Sequence, residues 1–145
     1  MVRKVDVVIE NFRPGVMESW NLGPSELMQI NPDLIYTRVS GYGQYGPYAN
    51  KPGYASVCEA FGGLRHLTGH PGDAPVRTNL SLGDSLAGLH AAFGTALALI
   101  ARERQQRSSM ATKEGLGQIV DVAIYESVFN MLESVVPEYD RFKLV

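Results

Sequence analysis

The chain opens on Val5-Asp6-Val7-Val8-Ile9-Glu10, a short β-branched run of the kind buried in parallel sheets. Asn11 to Gly15 follows as a turn, punctuated by Pro14-Gly15. Val16 to Trp20 fits a short helix. Gly23-Pro24-Ser25-Glu26 starts another, with proline near its first position and an acid in its first turn. Leu27 and Ile30 supply its inner face, and Asn31-Pro32-Asp33 ends it. Leu34 to Ser40 reads as a second strand. Strand, helix and strand over this distance predict a right-handed βαβ unit.

From Gly41 to Gly53 the periodicity disappears into a loop rich in glycine and tyrosine. Tyr54 to Phe61 regains helical spacing and is closed by Gly62-Gly63. Thr68 to Pro75 is a surface loop. The longest helix is predicted from Ser85 to about Arg104. Leu86, Leu89, Phe93, Leu97 and Ile100 form one stripe on it at helical spacing. Gly88, Ala91, Ala92, Gly94 and Ala98 leave another side small, so that neighbours can approach closely on most sides. Gln105 to Gly117 is polar and reads as a mobile surface loop. Gln118 to Ala123 is a third strand, and Ile124 to Val136 a last helix. Glu138 to Val145 carries no helix stop and reads as an interruption.

These elements alternate as in an α/β fold with an open parallel sheet. They divide the chain into a βαβ part, residues 1–53, and a helical part bearing the candidate chemistry, residues 54–145. The length of 145 residues suits one domain. Hydrophobic residues at 45% and charged residues at 19% favour a packed core over disorder. The net charge of −2 offers no basic field for nucleic acid. No run of about 18 unbroken apolar residues suggests a membrane span. The N-terminus shows no leader pattern, so a cytoplasmic protein is expected, or a mitochondrial-matrix or peroxisomal one in a eukaryote. The single cysteine, Cys58, cannot form a disulfide within the chain and reads as a small buried hydrophobe.

Three segments could carry chemistry. Asn11-Phe12-Arg13 follows the carboxyl end of a strand, where open parallel sheets bind ligands. An arginine there can pair with phosphate and a phenylalanine can lie against a purine, although an ordinary strand-to-helix loop has the same spacing. Gly41 and Gly43 let backbone N–H groups approach an anion or oxyanion, but the loop matches no nucleotide fingerprint. Asp84, in Ser81-Leu82-Gly83-Asp84-Ser85, stands where a loop becomes a helix. It can cap that helix, or it can be a reactive carboxylate kept ionised by the helix N-terminus. His66, His70 and His90 form no constellation, so no metal is expected.

Five motifs occur in one order: Glu10-Asn11-Phe12-Arg13-Pro14-Gly15, Ser40 to Pro47, Lys51-Pro52-Gly53-Tyr54, Leu82-Gly83-Asp84, and Gly117 to Glu126. This series closely resembles the class III CoA-transferases, the carnitine-dehydratase and bile-acid-inducible family. The resemblance implies an internal part of a larger Rossmann-like domain, in proteins that form interlocked homodimers. It implies that Asp84 is the catalytic aspartate and that Asn11, Phe12 and Arg13 hold coenzyme A, with Arg13 near its phosphates. Tyr54 would lie beside the active site, near the substrate. The substrates implied are an acyl-CoA and a small carboxylic acid, with no metal and no nucleic-acid or membrane partner.

By the same resemblance, Asp84 would attack the acyl-CoA and pass through anhydride and aspartyl-CoA thioester intermediates. The related α-methylacyl-CoA racemases have a histidine at the position of Tyr54. A tyrosine with an ordinary pKa near 10 replaces that acid/base partner poorly at neutral pH, which favours transfer over racemisation. A 2-methylacyl-CoA racemase and a catalytically silent fragment of the family are the alternatives.

Overall fold

The computed structural model describes residues 1–107 and 115–143. After a single 3₁₀ turn at Val2–Lys4, the chain runs through β1 (Val7–Glu10), α1 (Val16–Ser19), α2 (Pro24–Ile30), β2 (Ile35–Ser40) and α3 (Ala55–Phe61). It continues through α4 (Leu82–Arg107), β3 (Gln118–Ala123), α5 (Ile124–Phe129) and α6 (Val135–Phe142). Among the described residues the strands form one parallel sheet in the order β1-β2-β3. Residues 108–114, within the polar segment expected to be a mobile loop, lie outside the described residues; Gln105 to Arg107 belong to α4.

Helices cover both faces of the sheet. Strand side chains alternate, so Tyr36 joins Met17, Leu27 and Leu34 beneath α1 and α2. Thr37 points to the other face and shares a 2.6 Å hydroxyl hydrogen bond with Thr95 of α4. Val122, Ala87, Ala91, Cys58, Ile124 and Tyr42 make the core on that side. The Tyr36 hydroxyl donates to the Leu22 carbonyl at 2.7 Å, which satisfies a polar group that the core would otherwise strand. Burial pushes its pKa up to about 12.

Several expectations change. Ile30 is solvent-exposed, and α2 packs through Pro24 and Leu27 instead. Helix α4, expected to pack on most sides, packs through its small side alone: its buried residues are Gly83, Ala87, Ala91, Thr95 and Ala98, while Leu89 and Phe93 are 67% and 66% exposed. The small face wins because α4 lies directly on β2 and β3, where a Cβ on Gly94 would already meet Val120 at 2.8 Å. The large stripe faces outward, and by length and composition α4 is apolar enough to cross a membrane.

The helix predicted over Ile124 to Val136 is two helices, parted where Glu133 adopts φ 52°. The segment expected to be an interruption is helical through Phe142, with Lys143 in the left-handed conformation at its end.

Candidate functional site

The loops leaving β1 and β2 and one face of α4 enclose an open cavity of about 650 Å³ at the carboxyl ends of the strands. Asn11, Phe12, Arg13 and Pro14 form one wall, and Lys51 to Ala55 another. Asp84, Gly88, Ala91 and Ala92 line it from α4, at the spacing of one helical face.

Register builds the first wall. Glu10 pairs across the sheet with Arg38, and both are buried. Arg38 Nε donates to Glu10 Oε1 at 2.6 Å, and its Nη1 and Nη2 donate to Glu18 Oε1 and Oε2 at 2.7 and 3.2 Å. The hydrogen bond from Arg38 holds the Glu18 carboxyl below the usual carboxylate range. The second oxygen of Glu10 accepts from the Phe12 N–H at 2.8 Å, so a buried carboxylate shapes the turn that carries Asn11, Phe12 and Arg13. The Phe12 ring packs edge-on against Trp20, 5.1 Å between centroids. Arg13 is exposed and donates to the Asn50 carbonyl at 3.2 Å, which ties the two walls together.

Gly41 and Gly53 cross at the cavity floor. A Cβ on Gly41 would sit 2.5 Å from the Gly53 Cα, where no side chain could yield. The Gly41 carbonyl accepts from the Tyr125 N–H and from the Cys58 thiol, both at 3.3 Å. Gly43 does not line the cavity. It lies near Asp121, which accepts the Gln44 N–H at 2.9 Å, so its loop is pinned to β3. Tyr54 occupies the N-cap position of α3, outside the helix predicted to include it, and is 75% exposed on the cavity wall.

Asp84 is the third residue of α4, not its N-cap, because the helix begins at Leu82. The Ser81 carbonyl accepts the Ser85 N–H at 3.0 Å, and Glu59 Oε1 accepts the Gly83 N–H at 3.1 Å. Capping thus falls to other groups, and the Asp84 carboxylate remains exposed in the cavity at the positive end of a 26-residue helix. His90 lies against Asn130, away from the cavity lining.

A carboxylate at the positive end of a helix, two cations and an aromatic ring thus surround one cleft. A sequence profile described as CoA-transferase family III matches residues 1–143. The chain belongs to this family. It is 51% identical over 139 residues to the succinyl-CoA–D-citramalate CoA-transferase of Chloroflexus aurantiacus, covering 96% of this chain and 32% of that protein. It is 46% identical over 143 residues to the alpha subunit of the succinyl-CoA–L-malate CoA-transferase of Chloroflexus aurantiacus, covering 98% and 31%. A CAIB/BAIF family protein from Brucella suis superposes with a TM-score of 0.87 at 32% identity, over 99% of this chain and 35% of that one. The chain therefore spans about a third of the length of the relatives it matches.

Within this family member, sequence reasoning overlooked several wall residues. Ser40 is buried at the end of β2 and lines the cavity, and its hydroxyl has no partner among the described residues. Lys51 places its ammonium 4.0 Å from the Tyr48 ring centroid. Glu59 and Arg77 went unnoticed altogether. A signal for Glu59 existed: it stands four residues after Ala55 on the buried face of α3, an acid where an apolar residue is the rule.

Proposed function

We propose that this chain carries the nucleophile and part of the coenzyme A cradle of a CoA-transferase, and that the complete site moves coenzyme A from an acyl-CoA to a small carboxylic acid. The observation that carries this reading is the placement of Asp84 at the N-terminal turn of α4, across one cleft from Asn11, Phe12 and Arg13. Family membership supports it. The names of the citramalate and malate relatives support succinyl-CoA as the first donor to test.

The steps balance around one carboxylate. An Asp84 oxygen attacks the acyl carbonyl, the C–S bond breaks, and CoA thiolate leaves behind a mixed anhydride. The thiolate then attacks the aspartyl carbonyl and expels the donor acid as its carboxylate. An aspartyl-CoA thioester results. The acceptor carboxylate attacks that thioester and displaces the thiolate, giving a second anhydride. Thiolate attack on the acceptor's acyl carbon forms the new thioester and regenerates Asp84.

Each tetrahedral step develops an oxyanion, which hydrogen-bond donors in the wall must meet. The Ser40 hydroxyl suits that task. Arg13 and Lys51 suit the phosphates, and Phe12 the purine. The outward apolar stripe of α4 supports a working homodimer, to be read by mass photometry of the full-length protein; the relative named as an alpha subunit supports assembly of more than one chain and nothing finer.

Intact-protein mass after incubation with an acyl-CoA panel led by succinyl-CoA tests the chemistry, with Asp84→Asn as control. An adduct of CoA mass on the unsubstituted chain alone, removed by hydroxylamine, is expected. The same adduct on Asp84→Asn would take Asp84 out of the mechanism.

A further inference from the structure

Glu59 is 1% exposed, charged, and bonded to the turn that carries Asp84. We infer that Glu59 and Arg77 are positioning residues that hold the first turn of α4, and through it the Asp84 carboxylate, in register for attack; this rests on the role proposed for Asp84.

The first turn of a helix has N–H groups without intrahelical acceptors, and a segment so placed is held only by what caps it. Here the cap comes from another helix. Glu59 reaches from α3 and takes the Gly83 N–H on Oε1 at 3.1 Å, one residue before Asp84. Its Oε2 accepts from Arg77 Nε at 3.3 Å. Arg77 Nη2 donates to the Leu80 carbonyl at 3.4 Å, two residues before α4 begins. One carboxylate–guanidinium pair therefore fastens the approach to the helix, its first turn and α3 to each other.

Gly83 leaves room for this contact. A Cβ there would meet Ile124 Cγ2 at 3.0 Å and Glu59 Cγ at 3.3 Å, so both side chains would have to give by a few tenths of an ångström. The charge logic also fits the chemistry. Acylation removes the Asp84 charge, whereas Glu59 keeps an anion at the helix N-terminus through every intermediate. Its Arg77 partner offsets the charge that would otherwise repel the Asp84 carboxylate. The turn need not rearrange as Asp84 gains and loses its acyl group, and reactive geometry tolerates little movement.

The test compares Glu59→Ala, Glu59→Gln and Arg77→Ala by the rate of CoA-adduct formation, by CoA affinity in calorimetry, and by amide exchange at Gly83 in NMR. Glu59→Ala is expected to slow adduct formation by about ten- to a hundredfold, the scale of a small misplacement of a reacting group. CoA affinity should stay within about twofold, because the residue acts on the reacting group and not on the ligand. Glutamine retains an acceptor oxygen, so Glu59→Gln should recover a rate within about threefold of the parent. Gly83 amide exchange should rise in Glu59→Ala and Arg77→Ala and stay low in Glu59→Gln.

A parental rate in Glu59→Ala, or affinity falling in step with the rate, would overturn the inference. If the parent chain forms no adduct, the reading of Asp84 fails. The Gly83 amide then decides the clamp by itself, and unchanged exchange in Glu59→Ala sinks it. Should Glu59→Ala not fold, Arg77→Lys against Arg77→Ala reads the same exchange.

Discussion

Glu10→Ala is the most informative single perturbation, because one buried carboxylate supports both the sheet and the coenzyme-binding turn. The substitution removes two charge-assisted hydrogen bonds, from Arg38 Nε at 2.6 Å and from the Phe12 N–H at 2.8 Å. Bonds of this kind contribute about 1.5–3 kcal/mol each. The full cost of orphaning a buried partner does not apply, since Arg38 keeps both bonds to Glu18. The expected loss is about 2–4 kcal/mol, or about 6–12 °C in Tm for a chain of this size. Urea unfolding followed by circular dichroism measures it, with an unchanged slope showing that the unfolded ensemble is not what moved. The freed Phe12 N–H also loosens Asn11 to Arg13. Re-ordering that turn on binding should weaken CoA by about 5–30-fold, equivalent to 1–2 kcal/mol. Glu10→Gln keeps one acceptor but turns an amide N–H₂ toward the other donor, so its effects should be intermediate. A stability loss under about 1 kcal/mol, or parental CoA affinity in Glu10→Ala, would refute the argument that this buried pair shapes the site.

Other consequences are as direct. Arg13→Ala should weaken CoA by about tenfold in calorimetry, with the loss shrinking as salt is raised, because it removes an exposed phosphate partner. The small buried face of α4 predicts that Ala91→Leu costs about 1–3 kcal/mol through overpacking against the core, whereas Phe93→Ser costs about 0.5 kcal/mol or less by urea unfolding. Cys58 should resist iodoacetamide at pH 8 in the folded chain, because burial, then the nearby Asp84 and Glu59 charges, push its thiol up to about 11 from 9.0. The folded thiol binds its proton more tightly than the unfolded one, so its contribution to stability is complete below pH 9 and is lost as pH rises towards 11. A stability profile of Cys58→Ala that keeps the full parental decline in that window would count against this assignment.

Strand positions were legible because β-branched runs between turn signals have few alternatives, and β2 and β3 fall within a residue of where the pattern put them. Asp84 and Asn11 to Arg13 were legible as motifs, and the cavity brings them together. The orientation of α4 was not. Two stripes on that helix were apolar enough to be buried, one large and one small, and periodicity does not rank them. The choice fell to the separation between α4 and the sheet, which admits Ala87, Ala91 and Thr95 but not Leu89 or Phe93.

The sequence by itself determined which segments become strands, where the turns fall, and which residue types stand at the strand ends, because these follow from local sterics and spacing. Only the tertiary structure decided that Glu10 meets Arg38, that Glu59 and Arg77 close the turn before Asp84, and that Gly41 passes against Gly53 while Gly43 is held at β3 instead. Each of these joins residues far apart in the chain or selects one of two permissible faces, and that information arises only when the sheet register and the helix-to-sheet distance are fixed.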